Sequence, residues 1–133
     1  MGKTEEAFNF YKSVFGGEFA YLQRFKDTSE SAKLPPGDQD KIMHIALPIG
    51  EDNVLMGTDT LESMGHSLTS GNNFSISISA DTKKEADRIF AELSAGGKVE
   101  LPLSMQFWGD YFGMFADKYG IQWMVSYAPH QKK

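Results

Sequence analysis

Two halves of the chain carry the same short pattern, and this repeat constrains the fold more than any single residue does. In the first copy, Glu6-Ala7 are followed by aromatic residues, a valine and the glycines Gly16-Gly17. In the second copy, Glu85-Ala86 are followed by Ile89-Phe90, a leucine and Gly96-Gly97. Each copy is typical of an amphipathic helix that ends at glycine, with strand-like segments after it. The repeat predicts an α+β domain of two αβββ modules, each burying one face of its sheet.

Length and composition exclude several classes of protein. A chain of 133 residues with 41% hydrophobic residues is sufficient for a single domain with a core, residues 1–133. The net charge of −5 lacks the basic character of a nucleic-acid-binding protein. The absence of cysteine fits a cytoplasmic location. No apolar run approaches the roughly 20 residues of a membrane span, and we recognise no signal peptide.

The sequence of the first half predicts four elements. They are a helix at residues 4–15, a strand at 19–25, a polar loop at 26–40 and a hairpin at 42–56. Thr4 is suited to cap the helix, and Gly16-Gly17 end it. Pro35-Pro36-Gly37 predict a loop that is neither helix nor strand, and Gly50-Glu51-Asp52 predict the hairpin turn. Module one therefore covers residues 1–58.

The sequence of the second half also predicts four elements. They are a strand at residues 74–80, a helix at 82–95, an irregular segment at 101–108 and a second hairpin at 111–127. The first strand alternates strictly, Pro102 interrupts the irregular segment, and Asp117-Lys118-Tyr119-Gly120 form the turn. Residues 59–73 are rich in Gly, Ser, Thr and Asn and are predicted to be a linker that contains Met64 and His66. Module two then covers 74–127, and 128–133 form a tail.

The period-two alternation assigns each strand residue to a face. Residues predicted to pack on helices are Met43, Ile45, Leu47, Ile49, Phe74, Ile76, Ile78, Ala80, Trp123 and Val125. Residues predicted to face a concave cavity are His44, Ala46, Ser75, Ser77, Ser79, Gln122, Met124 and Ser126. The predicted cavity is mildly polar, contains one imidazole and is suited to a small organic molecule.

Four segments together resemble a known family. They are residues 5–17, Met43-His44, residues 107–113 and residues 117–123. The chain is similar to PhnB-like members of the vicinal oxygen chelate superfamily, which includes glyoxalase I, extradiol dioxygenases and bleomycin-resistance proteins. The resemblance implies paired βαβββ modules. Because the first helix begins almost at the first residue, we expect the first strand of module one to be missing from this sequence.

Proteins of this kind are often labelled 3-demethylubiquinone-9 3-methyltransferase. The sequence contains no glycine-rich strand-to-helix turn of the type that cradles a nucleotide-like cofactor, so we predict no cofactor. In metal-dependent relatives the first strand carries a metal ligand, and the other ligand positions correspond to His44, Ser75 and Met124. Only the histidine is a good ligand for a divalent ion, so we predict no metal.

Two functions remain open from the sequence. The first is a metal-independent small-molecule-binding protein similar to the bleomycin-resistance branch. The alternative is a metal-dependent lyase or isomerase resembling glyoxalase I, in which a partner chain completes a site at His44. Whether the chain is an enzyme, and which ligand it takes, is not determined, because superfamily membership constrains shape rather than chemistry. The resemblance also implies a homodimer.

The predicted ligand-binding residues are His44, Ser75, Ser77, Gln106, Trp108, Tyr111 and Met124. Each has a purely structural alternative. The sequence favours a hydrogen-bonded pocket histidine over a functional role at His44, and Trp108 is equally compatible with a side chain that fills the core. The serines of residues 75–79 are compatible with a solvated strand face.

Overall fold

The computed structural model describes residues 2–28, 34–50, 53–61, 63 and 74–128. The chain divides into two compact units, Met1–Thr69 and Ser70–Lys133. Each contains helices packed with a β-sheet, so the fold is α+β as predicted. None of the helices in the described ranges is both long and apolar enough to cross a membrane.

The first unit consists of a helix, a three-stranded antiparallel sheet and two short helical turns. Its elements are α1 (Thr4–Phe15), β1 (Tyr21–Arg24), a 3-10 turn (Phe25–Asp27), α2 (Pro36–Gln39), β2 (Ile42–Ile49) and β3 (Asn53–Gly57), with strand order β1-β2-β3. Helix α1 packs on one face of the sheet. A Cβ atom at Gly57 would lie 2.7 Å from Cε1 of Phe8, so only glycine permits this approach. Ile45, which pairs with Gly57, is fully buried on the same face.

The start of α1 differs from the prediction. Lys3, rather than Thr4, occupies the N-cap position, and no side chain caps the helix there. The backbone N–H of Thr4 instead donates to Oδ1 of Asp59 at 3.0 Å, and the N–H of Ile42 donates to Oδ2 at 2.8 Å. Asp59 is buried. Its carboxylate therefore satisfies an otherwise unpaired N–H at the positive end of the helix and joins α1 to β2.

The predicted loop at residues 26–40 is wrong in two places. Its start belongs to the 3-10 turn, and Pro36 begins α2. Proline is tolerated at the first position of a helix, where its missing N–H would have no partner in any case. Residues 29–33 lie outside the described residues, as do Glu51, Asp52, Met64 and His66.

A register shift in the first sheet changes one face assignment. The pairing of β1 with β2 shifts between Gln23 and Arg24, so that Arg24 pairs with Ile42. Ile42 is fully buried, whereas Met43, predicted to pack on the helix, is only half-buried. The extra residue of a bulge reverses the alternation beyond it. His44 pairs with Gln23 and lies on the face opposite α1, as predicted.

The second unit is a complete βαβββ module. Its elements are β4 (Ile76–Ser79), α3 (Lys83–Leu93), β5 (Lys98–Met105), β6 (Tyr111–Ala116) and β7 (Gln122–Tyr127), with strand order β4-β7-β6-β5. Strand β4 is parallel to β7, and the other pairs are antiparallel. The side chain of Thr82 accepts the N–H of Glu85 and caps α3. The first unit, in its described residues, has no strand that corresponds to β4.

Two predictions in the second unit are wrong. Residues 101–108 were predicted to be irregular, but Lys98–Met105 form β5. This strand lies at the edge of the sheet, and two register shifts between Val99 and Ser104 accommodate Pro102, which lacks a donor for the ladder. Phe74 was predicted to pack on a helix, but it precedes β4 and its residue is 56% exposed. Trp123 and Val125 are buried as predicted, and Phe115 is buried as well.

Candidate functional site

The two faces of the second sheet have different compositions. Helix α3 covers one face, where the rings of Phe90 and Phe115 lie 5.0 Å apart. Strand pairing places Trp123 beside Phe115 on this face. Because side chains alternate along β4, β6 and β7, the intervening residues of these strands lie on the opposite face, and each paired residue of β5 lies on the same face as its β6 partner. We call this the open face, and its residues are Ser77, Ser79, Lys98, Leu101, Ser104, Phe112, Met114, Ala116, Gln122, Met124 and Ser126.

Strand register arranges the open face in three rows. The rows are Ser77, Met124, Met114 and Leu101; Ser79, Ser126, Phe112 and Ser104; and Gln122, Ala116 and Lys98. Neighbours within a row are on strands about 4.8 Å apart. The inner strands β6 and β7 carry Met114, Met124 and Phe112 together with Ser126, and the edge strands β4 and β5 carry the hydroxyl groups of Ser77, Ser79 and Ser104. Such a surface suits a ligand with an apolar body and polar ends.

Trp108 lies beside the open face at the turn between β5 and β6. Its ring centroid is 5.8 Å from that of Phe112, and its indole N–H donates to Oδ2 of Asp110 at 3.2 Å. Gly109 adopts a positive φ of 101°, which favours glycine and shapes the turn. Trp108 is 49% exposed, so it does not fill the core. The indole is therefore available beside Phe112.

Gln106 stabilises the same turn. Its amide nitrogen donates to the Ser104 carbonyl at 3.2 Å, to the Ser104 hydroxyl at 3.1 Å and to the Phe112 carbonyl at 3.4 Å. Its backbone N–H donates to the carbonyl of Asp110 at 2.8 Å. Because its amide nitrogen already has these acceptors, the Gln106 side chain stabilises the turn beside Trp108.

Tyr111 lies on the helix-covered face, contrary to its predicted role in ligand binding. Its hydroxyl donates to Oδ1 of Asp87 on α3 at 2.5 Å, and Nζ of Lys83 lies 4.7 Å from the ring centroid. The hydrogen bond to the Asp87 carboxylate raises the pKa of the phenol. Alternation within β6 explains the difference, because Phe112, the next residue, occupies the open face.

His44 occupies the open side of the first sheet. Its ring centroid is 5.4 Å from that of Tyr21, whose hydroxyl donates to Oε1 of Gln23 at 2.9 Å. His44 is half-buried. The imidazole therefore lies in an aromatic and polar setting within the first unit. That His44 and Trp108 border one cavity stays a prediction.

Sequence reasoning missed Phe112 and Met114. The signal was present, because Phe115 is recognisably core and period-two alternation then assigns both residues to the opposite face. Met124 and Ser77 do lie on the open face, paired with each other. Ser75 precedes β4 and is exposed.

Of the three residues that the resemblance aligns with metal-ligand positions, His44 is a good ligand for a divalent ion, but Ser75 and Met124 are not. Met124 offers a soft thioether and Ser75 a neutral hydroxyl, neither of which is a typical ligand of such a centre. No group of three His, Asp or Glu side chains suited to a metal occurs in the parts of the chain that the structure describes.

The βαβββ module, with a helix on one face and an open opposite face, defines a protein of the glyoxalase/bleomycin resistance/dioxygenase type. A glyoxalase-related enzyme from Fulvimarina pelagi shares this fold, with a TM-score of 0.64 at 19% identity over 97% of this chain and 83% of that chain. The chain belongs to the family described as 3-demethylubiquinone-9 3-methyltransferase, whose model matches residues 1–126, and it is a PhnB-like member of the vicinal oxygen chelate superfamily.

More similar proteins come from several bacteria. The structure of PA1353 from Pseudomonas aeruginosa has a TM-score of 0.82 and 36% identity, over 95% of this chain and 90% of that chain. The PhnB protein from Bacillus cereus, described as a putative 3-demethylubiquinone-9 3-methyltransferase, has a TM-score of 0.75 and 29% identity, over 96% and 92%. Protein YjdN of Escherichia coli is 27% identical over 98% of this chain and 91% of its own length.

Proposed function

We propose that the protein binds a small organic molecule on the open face of the second sheet, without a bound metal. The observation that carries the proposal is the position of Trp108, which is half-exposed, with its ring centroid 5.8 Å from that of Phe112, at the end of a surface that contains Met114 and Met124. Thioethers adapt to ligand shape and make favourable contacts with aromatic rings. An exposed indole beside such a surface provides a large, rigid contact area.

The proposed site keeps most of the residues predicted from the sequence. Ser77 and Met124 belong to the open face, and Gln106 supports Trp108. His44 and Ser75 remain proposed contacts. We propose Phe112 and Met114 as ligand contacts in place of Tyr111, which lies on the opposite face of the sheet. We propose a cytoplasmic location on the absence of cysteine.

Methyl transfer is not proposed, although the family description names it. The connection from β4 to α3 is Ala80-Asp81-Thr82, which contains no glycine. A nucleotide-like cofactor requires close backbone approach at such a turn. A metal-dependent lyase or isomerase remains the alternative, because the half-buried His44 lies on the open side of its own sheet.

We also propose a homodimer that forms through the edge of β3. Among the described residues β3 pairs only with β2, and it contains no charge, proline or register shift. Protective features do occur on β5, which carries Lys98, Glu100 and Pro102. An antiparallel pairing of two β3 strands centred on Leu55 would set Val54 against Met56 of the partner subunit. Apolar residues would then meet at every inner position of an uncharged edge.

Ligand screening and metal analysis test the proposed function together. We expect an aromatic compound to bind by calorimetry, and Trp108→Ala to weaken binding about tenfold or more. Phe74→Ala is the matched control, because Phe74 is similarly exposed at 56% and precedes β4. Elemental analysis should find less than one divalent metal per chain. If the analysis finds one metal ion per chain and His44→Ala removes it, the result would favour the metal-dependent lyase over the metal-independent binding protein.

A further inference from the structure

We propose that the side-chain amide of Gln122 is the donor that selects a carboxylate-bearing ligand on the open face, an inference that rests on the proposed binding function. Gln122 is the first residue of β7 and pairs with Ala116 on β6. Ala116 in turn pairs with Lys98 on β5. The row therefore has an amide at one end, a small residue in the middle and an ammonium group at the other end.

The amide nitrogen of Gln122 is buried and has no hydrogen-bond partner among the described residues. Gln106 is the informative comparison, because its amide nitrogen on the same face has three acceptors within 3.4 Å. Buried polar groups are nearly always paired, so an unpaired donor requires an explanation. A ligand oxygen on the open face would supply the missing partner once the flexible glutamine side chain turns its amide toward that face.

The neighbours of Gln122 indicate which oxygen this is. The side chain of Ala116 is too short to occupy the space above the middle of its row. Lys98 lies two strands away, about 10 Å across the sheet, and its flexible side chain can extend over Ala116. An amide donor and a cation that converge on one position favour a carboxylate over an uncharged acceptor.

The spacing of the open face also sets the length of the ligand. Ala116 and Phe112 are four residues apart on β6, which corresponds to about 13 Å along the strand. Met114 and Met124 form the row between them. A carboxylate at Gln122 and a ring near Phe112 and Trp108 therefore require an elongated molecule of about two aromatic rings.

The test compares biphenyl-4-carboxylate with its uncharged hydroxymethyl analogue by calorimetry. We expect the wild-type protein to prefer the carboxylate, and Gln122→Met to reduce that preference about tenfold or more, because a hydrogen bond to a charged group is lost. Lys98→Met should reduce it several-fold. Gln39→Met is the matched control, because Gln39 lies on α2 in the first unit and its amide donates to the Leu34 carbonyl, and it should leave the preference unchanged. An equal preference in the wild type and Gln122→Met would overturn the proposal.

Further outcomes separate this inference from the proposed function. Trp108→Ala should weaken both compounds equally, because it removes the contact with the ring. If neither compound binds the wild type, the proposed site and this inference both fail. A ligand-free measurement examines the donor alone: Gln122→Met should raise the melting temperature by about 2–8 °C, because it removes an unpaired buried group. An unchanged or lower melting temperature would mean that the amide is already paired, and would overturn the inference.

Discussion

The indole N–H of Trp123 donates a 2.8 Å hydrogen bond to Oδ2 of Asp117, and both residues are buried. The other carboxylate oxygen of Asp117 accepts the backbone N–H groups of Tyr119 at 2.8 Å and Ile121 at 3.1 Å. The Asp117 side chain thus closes the β6–β7 turn and accepts the hydrogen bond of Trp123, the largest core residue. Asp59 has the corresponding role in the first unit, where its two oxygens join α1 to β2. Each unit contains a buried carboxylate that organises backbone donors.

Removing the Asp117 carboxylate should destabilise the protein strongly. Asp117→Ala leaves three N–H donors without this acceptor, for which we expect a loss of about 2–5 kcal/mol in the free energy of unfolding. Asp117→Asn should cost less, because its remaining oxygen can still accept. Urea denaturation followed by tryptophan fluorescence measures both. The exposed Asp81→Ala should change stability by less than about 0.5 kcal/mol. A similar small effect at Asp117 would show that other groups satisfy these donors.

Gly113 is required for the close packing of β6 against α3 and β5. A Cβ atom there would lie 2.6 Å from Cε2 of Phe90 and 2.9 Å from the backbone of Leu103. Because the backbone contact cannot move easily, we expect Gly113→Ala to cost about 1–3 kcal/mol in the free energy of unfolding. Thermal and urea unfolding measure the change. Gly37→Ala is the control, since nothing lies within 4 Å of a Cβ atom there. Equal stability of the two variants would contradict the packing described for Gly113.

The sequence predicted which residues form the core of each sheet more reliably than it predicted where elements begin. Alternation correctly predicts that Trp123 and Val125 are buried, because a regular strand pairing preserves the period of two. It failed at Met43, because the shift between Gln23 and Arg24 depends on strand pairing that the chain does not reveal locally. Bulges therefore limit such assignments to the part of a strand on one side of the shift.

Proline and tyrosine show the other limits of sequence reasoning. Pro102 predicts an interruption of the strand, yet β5 is an edge strand, and edge position is a property of the whole sheet. Pro35-Pro36-Gly37 predict a loop, but Pro36 begins α2. Tyr111 is close to Trp108 in sequence, but its hydroxyl donates to Asp87 on the other face. Proximity along the chain does not determine the face on which a side chain lies.

The bidentate ion pair between Glu5 and Arg24 should make stability depend on acidic pH. Its two hydrogen bonds are 2.9 and 2.6 Å long, and they hold the pKa of Glu5 below its ordinary value of 4.5. A group with a lowered folded-state pKa contributes stability above its unfolded pKa, and that contribution is lost as the pH falls through the folded pKa. Because both side chains are partly exposed, the contribution should not exceed about 1 kcal/mol.

Arg24→Met tests this dependence. The variant should be less stable than the wild type near neutral pH, and the difference should disappear in acid once Glu5 is protonated. Urea unfolding at several pH values measures the difference. Lys26→Met is the control, because its salt bridge with Asp40 is largely exposed and should contribute little at any pH. A constant difference between Arg24→Met and the wild type at all pH values would assign the effect to packing of the arginine stem instead.

A charge on β3 should separate the proposed homodimer into monomers. Val54 and Met56 are 51% and 61% exposed, and the strand carries no charged residue that would discourage pairing with another edge. Met56→Lys places an ammonium group beside the apolar Val54 of the partner subunit in the proposed pairing. Light scattering at low micromolar concentration should then report a dimer for the wild type and a monomer for the variant.

Val99→Lys is the matched control, because Val99 is 45% exposed on β5, an edge strand that already carries Lys98 and Glu100. It should remain dimeric. A wild-type monomer with ordinary thermal unfolding would refute the interface, and a dimer that persists in Met56→Lys would move the interface away from β3.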